Sequence, residues 1–184
     1  MDSQGNLYGT TAFGGASGSG TVFRLDTKGK LTDLYSFTGY SDGNEPWAGV
    51  ILDSQDNLYG TTQYGGASCN YPGCGVVFKL TPKGKETVLH SFGFTGDGFA
   101  PVAGVTPDAN GILFGTTQYG GKSNNGVVFS IHADGSGYRL VHQFAGKRDG
   151  SQPSAGLTAT AAGDLFGTAQ YGGRGSGTLF EVQP

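Results

Sequence analysis

Charge is scarce in this 184-residue sequence: only 14% of residues are charged, and they sum to −3. So weak a charge of that sign excludes a general role on nucleic acid or anionic membranes, both of which need a basic surface. No apolar run approaches the length of a membrane span. Proline is sparse, at 7, and no G-X-Y period exists, so the 36 glycines mark neither collagen nor a proline-rich linker. No segment reads as a helix. No Gly-x-Gly-x-x-Gly opens one, and no nucleophile-elbow sequence is present. What remains is glycine alternating with short runs of Val, Ile, Leu, Phe and Tyr, the composition of a turn-rich all-β protein.

Cysteine is also rare. Cys69 and Cys74 are the two cysteines, in "CNYPGC", with Pro72-Gly73 favouring a turn between them. Two readings stand. A disulfide across so small a loop would contribute about 2 kcal/mol on the loop-entropy model and would indicate an oxidising compartment. The alternative is a pair of free thiols in a cytosolic loop. No further Cys or His lies near enough in sequence to complete a zinc site, so no metal or other cofactor is expected.

One decapeptide is written four times, as "NLYGTTAFGG" from Asn6, "NLYGTTQYGG" from Asn57, "ILFGTTQYGG" from Ile112 and "DLFGTAQYGG" from Asp164. The period is a little over 50 residues. Phe23, Phe78, Phe129 and Phe180 close "GTVF", "GVVF", "GVVF" and "GTLF", while Pro46, Pro101 and Pro153 open "PWAGV", "PVAGV" and "PSAGL". Each repeat thus carries four short strand-like segments: A ("AGVIL"), B ("NLYGTT"), C ("GVVFKL") and D ("ETVLHSF"), bounded by Gly, Asp, Asn or Pro. The A–B and C–D links are tight turns; the B–C and D–A links are longer. Four antiparallel strands per repeat predict a β-propeller with A innermost, where a small Ala-Gly pair suits crowding. A β-sandwich or a β-solenoid are the alternatives, but a solenoid repeat is usually shorter and a sandwich has no reason to repeat so regularly. The chain reads as one repeat domain, with blades at about 1–44 (incomplete), 45–99, 100–150 and 151–184 (incomplete).

Residues 75–121, "GVVFKLTPKGKETVLHSFGFTGDGFAPVAGVTPDANGILFGTTQYGG", resemble the GloVer tandem repeat of secreted or surface-anchored bacterial proteins, and the likeness extends over nearly the whole chain. The resemblance implies a propeller-like extracellular repeat domain. It carries no reaction, so no catalytic residue is transferred.

Met1 is followed at once by the middle of a repeat, and no signal peptide is read, so a piece of a longer, secreted or cell-surface chain is expected. In strand order the sequence runs BCD, ABCD, ABCD, ABC. It could close as a four-bladed single-chain ring, or self-associate as half of a two-chain, eight-bladed ring.

Strand parity puts the B–C and D–A loops on one face and the tight turns, with Lys28, Lys30, Lys83 and Lys85, on the other. The loop face carries Tyr64, Gln118, Tyr119, Gln170 and Tyr171, the Asp-Gly-x-x-Pro aspartates Asp42, Asp97 and Asp149, and also Glu45 and Trp47. Three roles compete for these residues. The aspartates can cap their own turns. Alternatively, the aromatic rings and polar groups bind a polysaccharide or glycan, with the repeats adding avidity. In the third reading, Glu45 with Asp97 or Asp149 forms the acid and base of a glycoside hydrolase or lyase. Repetition disfavours the third, because an acid and a base need different environments. His90 and His142 align with Tyr35 and are expected to pack as aromatics rather than ligate metal. The Asp-rich turns lack the alternating oxygen ligands of a calcium loop. The expected module is non-enzymatic, for binding or scaffolding.

Overall fold

The computed structural model describes residues 1–70, 72–94 and 96–184, and its regular elements are all strands. The first sheet is β1 (Leu7–Thr11), β2 (Thr21–Leu25) and β3 (Leu31–Ser36); the second is β4 (Ile51–Leu52), β5 (Leu58–Thr62), β6 (Val76–Leu80) and β7 (Glu86–Ser91). The third repeat adds β8 (Gly98–Phe99), β9 (Thr106–Pro107), β10 (Ile112–Thr117), β11 (Tyr119–Gly120), β12 (Val127–His132) and β13 (Arg139–Gln143). Its main sheet runs β9-β10-β12-β13, and β8 pairs with β11. The fourth comprises β14 (Ser151–Pro153), β15 (Thr158–Ala159), β16 (Leu165–Tyr171) and β17 (Thr178–Val182). Every pairing among these strands is antiparallel.

The repeated letters have local physical causes. In β5, Gly60 lies opposite Phe78 of β6, and a Cβ at Gly60 would come within 2.7 Å of that ring. Gly9, Gly115 and Gly167 meet Phe23, Phe129 and Phe180 in the same way. The tyrosine one residue earlier has a partner in the preceding turn. Asp53 accepts from the backbone N–H of Gln55 and Asn57 and from the Tyr59 hydroxyl, at 2.8 to 2.9 Å. Asp2 does the same for Gln4, Asn6 and Tyr8. These aspartates are turn caps.

The inner strand departs from the continuous segment read in the sequence. It pairs with the B strand at both ends and leaves it in between. In the fourth repeat β14 pairs with the far end of β16 and β15 with the near end. The break is a backbone kink. Glu45, Ala100 and Gln152 hold φ of 57°, 56° and 55°, and a proline follows each. Side chains other than glycine rarely adopt this conformation, so three copies at one position mark a conformation imposed by neighbours. Each kinked residue turns its N–H to the preceding blade: to Ser19 O (3.0 Å), Cys74 O (2.9 Å) and Asn125 O (2.8 Å). The detached middle follows the same direction. Ala48, Ala103 and Ala155 carbonyls accept from the hydroxyls of Thr10, Thr61 and Thr116 in the preceding blade. Gly104 sits so near Gly49 that an added Cβ would lie 3.0 Å from its carbonyl, so the inner segments of neighbouring blades touch.

Three apolar cores join successive sheets. The first centres on Val22, Phe37, Val76 and Phe78, the second on Val77, Phe92, Phe129 and Ile131, and the third on Val128, Phe144 and Leu165. The same edge-to-face pair recurs: Phe37–Phe78, Phe92–Phe129 and Phe144–Phe180, at 5.2, 5.2 and 4.9 Å. Each fully buried phenylalanine contributes roughly 2–3 kcal/mol through removal from water. Among the described residues no such core joins the fourth sheet to the first. Leu179, the counterpart of the buried Val22, Val77 and Val128, is 71% exposed, and Leu7 and Leu31 are exposed at the other end. Among the described residues the four repeats therefore present one exposed apolar face at each end of the series.

The glycine before each C strand should be indispensable. Gly75 has φ +95°, and a Cβ there would lie 2.4 Å from Thr62 O and 2.6 Å from Pro101 Cδ of the next blade. Gly75→Ala is expected to cost at least about 3 kcal/mol in urea unfolding, from left-handed strain plus overpacking. Gly111→Ala has φ +79° but open space around it, and should cost only about 1 kcal/mol.

Candidate functional site

The Asp-Gly-x-x-Pro aspartates face the outer strands. Asp42 accepts from the Thr38 backbone N–H (2.8 Å), the Thr38 hydroxyl and the Tyr35 hydroxyl (2.9 Å). Asp97 takes the Gly93 N–H (3.2 Å), His90 Nε2 (3.0 Å) and the Tyr138 hydroxyl of the next blade. Asp149 takes the Ala145 N–H (2.6 Å) and His142 Nε2 (3.0 Å). An ionised carboxylate only accepts, so Nε2 carries the proton in both histidines. Each aspartate thus closes its own loop and ties it to the D strand. The histidines also pack as aromatics: His90 stacks on Tyr138 at 3.7 Å, and His142 meets Phe144 edge-on at 4.7 Å. Among the described residues no three His, Cys, Asp or Glu gather as a metal-ligand set.

Electrostatics at these seams differ between blades. Burial raises the Asp97 carboxyl, but hydrogen bonds from His90, Tyr138 and Gly98 and the nearby His90 outweigh it and hold the pKa below the ordinary value. At the preceding seam the Tyr138 position is taken by Glu86. Its Oε1 is buried with no hydrogen-bond partner, and burial, with repulsion from Asp42, pushes its pKa to about 7. Neither Tyr138 nor Glu86 was marked out in the sequence.

The loop surface itself is aromatic. Phe13 and Trp47 meet edge-to-face at 5.7 Å, and the Trp47 indole N–H donates to Glu45 Oε2 at 3.3 Å. Between the second and third blades, Gln63, Tyr64, Phe94, Phe99, Gln118 and Tyr119 line a cleft of about 280 Å³, with Phe99 stacked on Tyr119 at 5.2 Å. Gln118 Nε2 reaches Ser154 Oγ of the fourth blade at 3.1 Å. Tyr171 and Gln170 stand exposed further along the arc. Tyr40 is 76% exposed, and Phe13, Trp47, Phe94 and Tyr171 are each more than half exposed. All the exposed aromatics among the described residues therefore lie on this face, whereas the exposed leucines lie at the open ends of the arc. Tyr40, Phe94 and Phe99 were absent from the sequence-based set. Their signal was available: they are aromatic residues in glycine-rich loops, at positions where the other repeats hold different residue types.

Cys69 and Cys74 form a disulfide with Cα atoms 5.7 Å apart, and Cys69 packs against the core between the second and third blades. This bond fits an oxidising compartment.

Glu86 gives a pH test. An acid whose folded pKa lies above its unfolded value contributes stability at low pH that is lost as pH rises through the folded value. The loss should therefore run from about pH 4.5 to about pH 7. Glu86→Gln should stabilise the protein on the order of 1 kcal/mol at pH 8 and leave it unchanged at pH 4, by urea unfolding at each pH.

Similar structures agree on the architecture. The Nidogen/Laminin complex contains a chain at 16% identity and TM-score 0.62, covering 99% of this chain and 62% of that one. A putative gluconolactonase matches at 17% identity and TM-score 0.57, covering 100% and 62%. The periplasmic gluconolactonase PpgL of Pseudomonas aeruginosa matches at 17% identity and TM-score 0.55, covering 89% and 46%. The chain spans less than two thirds of the length of these propeller structures, and the likeness shows the fold alone. No curated protein matches the sequence. The profile of the Gloeobacter/Verrucomicrobia repeat matches residues 1–180, and the chain belongs to that family.

Proposed function

We propose that this protein is an extracellular, non-enzymatic propeller module that binds a carbohydrate polymer on its loop face. The carrying observation is the segregation of the exposed aromatics among the described residues onto that face. Rings left in water at the cost of apolar hydration indicate a stacking surface, and sugar rings present the matching C–H faces. Gln118, Gln170 and Glu45 supply polar partners for hydroxyls. Within the candidate set, Trp47, Tyr64, Tyr119 and Tyr171 are platforms, whereas Asp42, Asp97 and Asp149 support the loops that present them. The disulfide and the family fit a location outside the cell.

The hydrolase or lyase alternative has less support. It needs Asp97 or Asp149 free beside Glu45, and both carboxylates are engaged with outer-strand histidines. A putative gluconolactonase and the periplasmic gluconolactonase PpgL are among the similar structures, but at 17% identity they lend no residue roles.

Closure by a second copy belongs to the same reading: the face with Leu179 on one chain meets the face with Leu7 and Leu31 on the other, giving a two-chain, eight-bladed ring. Light scattering after size exclusion should give twice the monomer mass. A monomer throughout the micromolar range overturns closure and leaves the glycan surface untouched. For that surface, a polysaccharide panel with Trp47→Ala and Tyr171→Ala is decisive. Each substitution should weaken binding roughly fivefold to tenfold with unfolding unchanged. Binding that survives both substitutions refutes the proposal.

A further inference from the structure

Repeats that build the same blade should carry the same residues wherever construction alone decides. The residue after Gly-Gly in the B–C loop is Ala16 in the first repeat and Ala67 in the second, so the fold needs nothing larger there. In the third and fourth repeats it is Lys122 and Arg174. The D–A loop changes in the same sector. "TGYSDG" precedes the second inner strand, and "AGKRDG", with Lys147 and Arg148, precedes the fourth. All four cations are exposed, and the described salt bridges, His90–Asp97 and His142–Asp149, include none of them.

The fold brings them together. Lys147 carbonyl accepts from Gly173 N–H at 2.8 Å, one residue from Arg174 and two from the exposed Tyr171. Gln152 N–H donates to Asn125 O, which joins the D–A loop to the loop holding Lys122. The acid within this sector, Asp149, is engaged by His142 and Ala145. The loop face is thus divided. Its first half is aromatic, with Phe13, Tyr40, Trp47 and Phe94, and holds the carboxylate Glu45 on the Trp47 indole; its second half sets Tyr171 among cations that no described salt bridge pairs.

We propose that the polymer taken by this face is an acidic polysaccharide, whose carboxylate or sulfate groups lie on the Lys122, Lys147, Arg148 and Arg174 sector while its rings stack on Tyr171 and the aromatic half. This rests on the glycan reading above. Arginine forks match carboxylate and sulfate oxygens, and the lysines add positive point charges. Polygalacturonate and sulfated dextran separate the two anion types, and a neutral cellulose ether and single-stranded DNA serve as controls.

Affinity electrophoresis of the protein as it stands should show retention by one or both acidic polymers. Retention should fall roughly tenfold between about 0.05 M and about 0.5 M salt, as expected for binding by charge. Replacing the four cations by Gln should produce a loss of similar size. Replacing Lys28, Lys30, Lys83 and Lys85 on the turn face by Gln removes the same charge and should change retention less than about twofold. Equal losses from both variants would show that net charge alone acts, and would overturn the proposal. Retention by the neutral polymer, unaffected by salt or by the cation variant, would leave the glycan reading intact and end this one. Retention on DNA as strong as on the acidic polymers rejects a glycan partner, and retention on nothing rejects both readings.

Discussion

Everything in this molecule depends on how one blade grips the next. The grip is a backbone joint: a left-handed residue before a proline in one repeat, and a glycine before the C strand of the preceding repeat. Gly20, Gly75 and Gly126 have no Cβ because Pro46, Pro101 and Pro153 already occupy that space. The kink at Glu45, Ala100 and Gln152 turns an N–H outward to the neighbour's carbonyl. Strain of roughly 1–2 kcal/mol per kink is offset by a satisfied donor and by the phenylalanine pair that the joint brings into contact. The threonine hydroxyls then fasten the inner segments, and the fold becomes a series of equivalent seams.

The proposed function rests on what the seams leave over. Aspartates that look like ligands in sequence are used to hold the loops, and the loops are thereby free to carry rings and cations with no structural duty. Rigid support beneath a variable surface is the usual arrangement for binding sites on repeat scaffolds. The variation runs around the arc, from aromatic to basic, so the face has a direction even though its framework is repetitive.

The sequence made the architecture legible because its physics is periodic. Gly60 must face Phe78, so that glycine and that phenylalanine recur in all four repeats, and the turn-capping Asp53 recurs as Asp2 and Asp108; together they announce four strands and their order. The kinked inner strand was not legible. Glu45, Ala100 and Gln152 share no side-chain chemistry; the proline after each and the positive φ unite them. Asp97 could be read as a cap or as a ligand because the deciding partner, Tyr138, lies 41 residues away in a different blade. The loop-face aromatics were partly legible: Tyr119 and Trp47 stood out, whereas Phe99, half-buried and stacked on Tyr119, did not.

The open ends have a kinetic consequence. The second and third blades have neighbours on both sides, while the first and fourth are each covered on one side only. In a solenoid-like array each unit is held mainly by its neighbours, so the lone chain should open from its ends inward. Backbone amides of β6 and β12 would exchange with solvent most slowly, and those of β2 and β17 sooner. Joining the two ends would erase that gradient, leaving every blade as slow to open as the middle ones.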